Sequence, residues 1–398
     1  MNVCFETFGC RLNRAEALEE EAAYLAKGWT RTEKHADADL IIVRGCSVTA
    51  HAQHDCERMI KHLRRKYPNK RIVVQGCMES SLKNATAAAA THLHSAVAMP
   101  DAPTATDAFA VPTRTARAYL KVQDGCAGKC TFCIVPKFRG ESTSVPFDTL
   151  MDKARRFIDA GYHEIVVTGC NLSLYASQGK RLPELLTALA QLTPDCRIRL
   201  GSLEPGACAL ETVRALAAQP NFCRFLHIPI QSGSARILLA MRRPYEAKDV
   251  HELLDTAVEL MPDLGLGCDL MTGFPSESET DFLATKGLLK KYPFSNAHVF
   301  PFSERPGTLA ASMSLKVDKK VRSSRAHALA ELAREKRKAF AKKFVGRRVE
   351  VLIEDAAHGA GWTSEYLWFK GTGTCERKRL VSALTFSTVS DHLHGRIG

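Results

Sequence analysis

The sequence predicts an α/β protein in three parts: an N-terminal parallel α/β domain, a partial (β/α) barrel and a small C-terminal β-barrel. Three observations carry this. Short apolar runs alternate with helix-like stretches over the first three quarters of the chain. Nearly every run ends in Gly or a polar loop, and beyond residue 344 the texture changes to short alternating strands punctuated by Gly. With 398 residues and 45% apolar composition the chain can bury at least one sizeable core, which excludes disorder throughout. No stretch reaches about 18 uninterrupted apolar residues, and the start MNVCFETFGC lacks the basic flank and apolar core of a secretory signal. A cytoplasmic protein with no membrane association is expected.

The first domain, residues 1–104, has apolar runs at 3–8, 40–43 and 72–74, separated by helix-like stretches at 15–27 and 53–66. That alternation predicts a parallel sheet. Residues 84–115 are rich in Ala, Thr, Pro and His without periodicity and read as a linker, whose His92 and His94 have no usable metal-site spacing. The second domain, residues 112–343, offers strand candidates at 119–122, 164–168, 197–200, 224–228, 265–271 and 297–300. These run into DGC, TGCN, SLEP, PIQSGS, TGFPSE and PFSERPGT. In barrels of parallel strands the active site lies at those carboxyl ends, so this is the expected catalytic domain. A basic helix is predicted over 319–344, and Val349, Val351 and Ile353 open the alternating pattern of the last domain, residues 344–398.

The formal net charge is +12, and it is concentrated. Residues 316–348 hold thirteen Lys/Arg against three Asp/Glu, a net +10. An acidic polymer is the expected partner. The helix is followed by Arg347, Arg348, Lys370, Arg377, Lys378 and Arg379, which predicts a phosphate-tracking surface. Tyr366, Trp368 and Phe369 are candidates to stack unpaired bases, although one or two must fill the barrel core.

Fourteen cysteines in an enzyme-sized chain argue for metal or redox use rather than a disulfide scaffold. Cys126, Cys130 and Cys133 form a C-x3-C-x2-C triplet directly after a strand. Three thiolates on one loop can hold three irons of a 4Fe-4S cube, and the fourth iron stays open. Such an open position lets S-adenosylmethionine chelate the cluster and be cleaved reductively to a deoxyadenosyl radical. Structural zinc, with Cys170 or a histidine as fourth ligand, fits the spacing poorly, because such sites use paired C-x2-C knuckles. Three further cysteines end strands after a Gly: Cys10 in FETFGC, Cys46 in LIIVRGC and Cys77 in VVQGC. Their intervals are each about one α/β unit, so the thiolates lie on one sheet edge and can converge on a second cluster. Cys4, Cys56, Cys196, Cys208, Cys223, Cys268 and Cys375 read as small buried hydrophobes, and Cys170 as a packed bystander.

The C-x3-C-x-Phe-C string resembles the signature of the radical S-adenosylmethionine superfamily. In that superfamily the aromatic residue, here Phe132, borders the cofactor. Together with TFGCRLNRAEAL, VQGCME, HIPIQSGSARILLAMRRPYE, DLMTGFPSESETDF and HVFPFSERPGT, it makes the chain similar, over nearly all its length, to the methylthiotransferase family. That resemblance implies an N-terminal methylthiotransferase domain, a radical domain and an RNA-binding TRAM barrel. SLEP, RRPY and the Pro-Phe-Ser-x-Arg-Pro-Gly-Thr end are similar to the branch that adds methylthio at C2 of N6-threonylcarbamoyladenosine at position 37, beside the tRNA anticodon.

It implies two 4Fe-4S clusters on the six named cysteines and contacts to S-adenosylmethionine from Phe132, Thr168, Gly169, Asn171, Glu204, Gln231 and Ser232. The implied partners are the tRNA anticodon stem-loop and an electron donor such as flavodoxin or ferredoxin. An unactivated aromatic C–H yields to no side-chain acid, base or nucleophile, so cofactor-borne radical chemistry is the available route. The alternatives are methylthiolation of isopentenyladenosine in tRNA or of a ribosomal protein, and a non-catalytic RNA-binding protein holding zinc or a passive cluster. Arg44-Gly45 before the second cysteine departs from the Asn-Thr common in the family, as do Cys170 and the short Ala-rich stretch after Lys83.

Overall fold

The computed structural model describes residues 1–78, 111, 115–206, 208–373 and 375–398. The first domain runs β1 (Asn2–Thr7), α1 (Arg11–Ala26), β2 (Thr30–Arg31), β3 (Leu40–Gly45), α2 (Ala50–Lys66) and β4 (Arg71–Gly76). Its strands form one parallel sheet in the order β2-β1-β3-β4. Leu40, Ile41, Ile42 and Val43 are all buried, as expected for a parallel strand covered on both faces. Thr49 caps α2 by accepting from Ala52 N at 3.2 Å, and Arg64, Arg65 and Lys66 close its last turn where the helix dipole favours cations. The linker histidines His92 and His94 lie outside the described residues.

The catalytic half follows as β5 (Ala118–Lys121), the hairpin β6 (Gln123–Asp124) and β7 (Thr143–Ser144) with α3 (Val135–Arg139) in its loop, then α4 (Phe147–Asp159) and β8 (Glu164–Thr168). A small hairpin, β9 (Ala176–Ser177) and β10 (Lys180–Arg181), leads into α5 (Leu182–Leu192), β11 (Arg197–Leu200), α6 (Ala209–Ala217) and β12 (Phe225–Gln231). It continues through α7 (Ala235–Ala240), α8 (Ala247–Leu260), β13 (Gly265–Thr272), α9 (Glu279–Lys291) and β14 (Phe294–Pro301). Parallel pairing joins β5-β8-β11 and β12-β13-β14, and the bridges Ile198↔Phe222 and Ser202↔His227 link the two halves. The six strands thus form an open arc. Its outer face packs Leu150, Phe157, Leu185, Leu253 and their neighbours from the surrounding helices into the main core.

After α10 (Leu309–Ser312) comes the long helix α11 (Lys319–Lys342), capped by Asp318, whose side chain accepts from Lys320 N at 2.8 Å. It buries Arg325, Leu329, Ala333, Phe340 and Ala341 on one face. The charge on this helix is therefore divided. Arg325 pairs with Glu277 at 2.7 Å and Arg337 with Asp391, whereas Lys319, Lys320, Arg334, Lys338 and Lys342 stay exposed. The C-terminal strands β15 (Arg348–Asp355), β16 (Ala360–Thr363), β17 (Trp368–Thr372), β18 (Leu380–Val389) and β19 (His392–Ile397) form a closed barrel in the order β15-β16-β17-β19-β18.

That barrel sits under the arc and corrects one expectation about its aromatics. Tyr366 stacks on Trp362 at 4.4 Å and 11° and on Phe225 at 4.7 Å, beneath the Arg11 and Arg199 guanidiniums. Trp368 meets Trp362 edge-on at 5.0 Å, and Phe369 is fully buried in the barrel core. Tyr366 and Phe369 are thus structural, and the exposed aromatic on the barrel is Phe386, 58% accessible, which the sequence pattern did not single out. Below the arc, Glu164 pairs with Arg197 at 2.6 Å and Arg199 at 2.7 Å, and both arginines donate onward to carbonyls of the small barrel.

Candidate functional site

The register of the first sheet aligns Thr7 with Arg44 and Gly45 with Gly76, so Cys10, Cys46 and Cys77 emerge from adjacent strand ends. Gly9, at φ +98°, turns the chain into α1; a Cβ there would lie 2.5 Å from Cys46 Cβ and 3.0 Å from its Sγ. Buried Asn13 ties two of the ends together by donating to Phe8 O at 2.9 Å and Gly45 O at 3.1 Å. Burial pushes the Cys46 thiol up to about 11, and the nearby Cys10 and Cys77 add to the rise. The Arg44-Gly45 departure has a local reason. Arg44 pairs with Glu16 and Glu20 at 2.9 and 2.8 Å, and a side chain at residue 45 would meet Met78 Cβ at 2.5 Å.

The second triplet occupies the loop between β6 and α3. Burial pushes Cys133 up to about 12, with Cys130 and Cys126 close enough to add to it. Arg243 donates to Cys130 Sγ at 3.2 Å and pairs with Glu204, whose carboxyl burial pushes up to about 7 even beside that guanidinium. Each site gathers three thiols whose charged forms would repel one another, the donor set that a multi-iron cluster satisfies, since iron–sulfur clusters are bound by thiolates.

Arg139 joins the two sites. It ends the helix that follows Cys133, yet its Nε donates to Cys77 Sγ at 3.2 Å and its other nitrogens reach Asn13 Oδ1 at 2.7 Å, Glu16 Oε1 at 2.9 Å and Asp124 Oδ1 at 3.0 Å. Lys121 closes the network at 2.6 Å from both Glu16 and Asp124. Burial alone would raise the Glu16 carboxyl, but Arg139 and Lys121 hold it below the usual range. Cys170 lies beside Asp124 at 3.4 Å.

A cavity of about 990 Å³ opens between the first domain and the carboxyl ends of the arc. Phe132, Cys133, Glu204 and Gln231 line it, together with Met271, Phe300 and Phe302. Among the described residues the Gln231 Oε1 is buried there without a hydrogen-bond partner, a cost that a bound ligand's N–H would remove. The fit to a polar adenosyl cofactor beside the second triplet is therefore good. The other four residues the sequence pointed to do not line this cavity. Gly169 and Asn171 pack on Gln123, whose Oε1 accepts from Asn171 N at 2.8 Å, Thr168 O accepts from Val122 N at 2.9 Å, and Ser232 is buried against Thr285 at 3.3 Å. Arg139, Arg243 and Arg305 escaped notice although the last two lie in quoted motifs; Arg305 donates to Ser47 O at 2.7 Å and so docks the first domain on the arc. His227, Asp269 and His298 form a further polar cluster on the cavity side, with His227 3.1 Å and His298 3.3 Å from the Asp269 carboxylate.

An arc of six parallel strands with a cysteine triplet at the end of its first strand defines a radical S-adenosylmethionine enzyme. Residues 120–289 match the Radical SAM superfamily, and residues 2–98 match a family described as Uncharacterized protein family UPF0004. Threonylcarbamoyladenosine tRNA methylthiotransferase MtaB of Thermotoga maritima is 32% identical over 375 residues, covering 88% of this chain and 86% of that protein. The tRNA-2-methylthio-N(6)-dimethylallyladenosine synthase of Cereibacter sphaeroides is also 32% identical, over 89% of this chain and 88% of its own. Among solved structures, the radical S-adenosylmethionine methyltransferase TsrM from Kitasatospora setae, with cobalamin and a 4Fe-4S cluster bound, superposes with a TM-score of 0.53. That likeness covers 78% of this chain and 77% of the other at 14% identity, and it concerns the fold alone. The chain belongs to the radical S-adenosylmethionine methylthiotransferase family, whose members use S-adenosylmethionine and two 4Fe-4S clusters. Among the described residues no helix is long and apolar enough to cross a membrane.

Proposed function

We propose that this chain adds a methylthio group to C2 of N6-threonylcarbamoyladenosine at position 37 of tRNA. The observation that carries the reading is the pair of three-thiol sites on facing domains, joined through Arg139 beside one large cavity. Relatives named for this modified base support the substrate. In this reading residues 1–104 hold the auxiliary cluster on Cys10, Cys46 and Cys77, residues 112–343 the radical cluster on Cys126, Cys130 and Cys133, and residues 344–398 bind RNA. When bound, the two clusters supply the electron that cleaves S-adenosylmethionine and the iron through which sulfur is delivered. The protein's own part is placement. Arg243 and Arg139 donate to thiol sulfurs of the two sites, Gln231 and Glu204 offer polar partners to the cofactor, and Phe132, Phe300 and Phe302 keep water from a flat base. The tRNA anticodon stem-loop is the partner, a flavodoxin- or ferredoxin-type protein the electron donor, and the cytoplasm the compartment where both are met.

Anaerobically reconstituted protein should hold about eight irons per chain, since each three-cysteine site suits a 4Fe-4S cube. Replacing either triplet by Ala should halve that content. The Cys10, Cys46 and Cys77 triple variant should still form 5′-deoxyadenosine but no methylthiolated nucleoside. Mass spectrometry of nucleosides should show the product on threonylcarbamoyladenosine; methylthiolation of dimethylallyladenosine instead would move the protein to the other named branch.

A further inference from the structure

The two named branches differ in what hangs from N6: a threonylcarbamoyl group ends in a carboxylate, whereas a dimethylallyl group is wholly apolar. The cavity is asymmetric in a way that bears on this difference. Its floor is apolar and aromatic, suited to a base, while cationic side chains stand on the wall built by the loop after β14 and the first turn of α11. Most charges around it already have partners. Arg243 is held by Glu204, Tyr245 and Cys130. Arg305 is spent on Ser47 O and Gln53 Oε1, and His298 and His227 both face Asp269. Glu304 at the rim is met by Lys316 at 2.8 Å.

Two cations on this wall make no ion pair among the described residues, although Arg322 lies near enough to Glu304 to attract it. Arg322 lies with its stem across Gly273, so closely that a Cβ there would fall 1.9 Å from Arg322 Cγ, and only its Nη1 is engaged, donating to Phe302 O at 2.9 Å. Among the described residues its Nε is buried without a hydrogen-bond partner. Lys319, one turn earlier on the same helix face, lines the same wall and makes no ion pair among the described residues. Glycine at 273, in the left-handed region at φ +69°, is what lets the arginine lie this close to the strand end. Resting on the function proposed above, we infer that Lys319 and Arg322 bind the carboxylate of the threonylcarbamoyl group and so select an anionic N6 substituent.

The test compares affinities of the full-length reconstituted enzyme for one anticodon stem-loop carrying either threonylcarbamoyladenosine or unmodified adenosine. The unaltered enzyme should prefer the modified RNA by at least about tenfold, the size of one charge-assisted hydrogen bond to a carboxylate. Lys319→Gln with Arg322→Gln should erase the preference, and Lys319→Arg with Arg322→Lys should restore most of it. Equal weakening toward both RNAs would make these residues phosphate contacts and overturn the inference, as would an unaltered preference in the Gln variant. An unaltered enzyme that neither prefers nor methylthiolates the threonylcarbamoylated RNA would instead refute the underlying function.

Discussion

Replacing Glu164 by Gln tests how the three parts are held together. The Glu164 side chain has no solvent exposure, and the Arg197 and Arg199 side chains it pairs with are 3% and 0% exposed. From those guanidiniums further hydrogen bonds reach the small barrel at Glu350 O (3.2 Å), Trp362 O (2.8 Å), Thr363 O (2.9 Å) and Ser364 O (3.2 Å). The amide keeps the shape but removes the carboxylate that both arginines share; Arg197 keeps only half-exposed Glu350 at 3.5 Å, and Glu365 acts on the pair at longer range. Breaking a buried pair in this way costs about 3–5 kcal/mol. For a unit of this size that lowers the thermal midpoint by roughly 6–20 °C. Calorimetry of both proteins at pH 7 measures it, read as a midpoint shift because a multidomain chain need not unfold in one step. Burial would raise the Glu164 carboxyl, but Arg199 and Arg197 hold it well below the usual range. Its contribution is therefore complete above the unfolded-state value of about 4.3 and is lost as the pH falls below it. The gap between the two proteins should narrow in acid. A midpoint unchanged by the substitution at pH 7 would refute the idea that this layer carries the docking.

Leu329→Ala, in the buried stripe of α11, should cost about 2–5 kcal/mol through the cavity it leaves, measured by urea unfolding. Phe386→Ala should weaken tRNA binding by about 5- to 150-fold if that exposed ring stacks a base, with little change in thermal midpoint. Lys370→Ala, at an exposed barrel position, should lower the slope of log affinity against log salt by about 0.7 to 0.9 in a filter-binding titration, the loss of one phosphate contact.

Local pattern carried most of the architecture. Nine of the ten parallel strands of the first two domains begin and end within three residues of the apolar runs, because a strand buried on both faces leaves a continuous hydrophobic signature; the two-residue edge strand β2 has no such run. The gathering of the thiols had a different source: Cys10, Cys46 and Cys77 each follow a strand end, and parallel strands deliver their ends to one edge, whereas Cys126, Cys130 and Cys133 share one loop. Glu164, Arg139 and Tyr366 were not legible. Their roles depend in large part on distant partners, 62 positions away for Arg139 with Cys77 and 141 for Tyr366 with Phe225, and nothing in the flanking residues announces such a pairing. The base-stacking assignment for Tyr366 failed on the same ground, since an aromatic that closes an interface between two folded units looks locally like one that faces solvent.

Arg139 also bears on how the protein matures. Its Nε is committed to Cys77 and its remaining nitrogens to Asn13, Glu16 and Asp124, so the short helix behind the Cys126 loop takes much of its side-chain anchorage from the first domain, with Asp124 and the Lys137 bond to Gly307 O coming from its own. A nascent chain whose second domain folds alone would carry this guanidinium without its acidic partner from α1 and without its sulfur contact. A chain that stalls before the two domains meet therefore leaves Cys77 without its guanidinium and Arg139 with only Asp124 of these four partners.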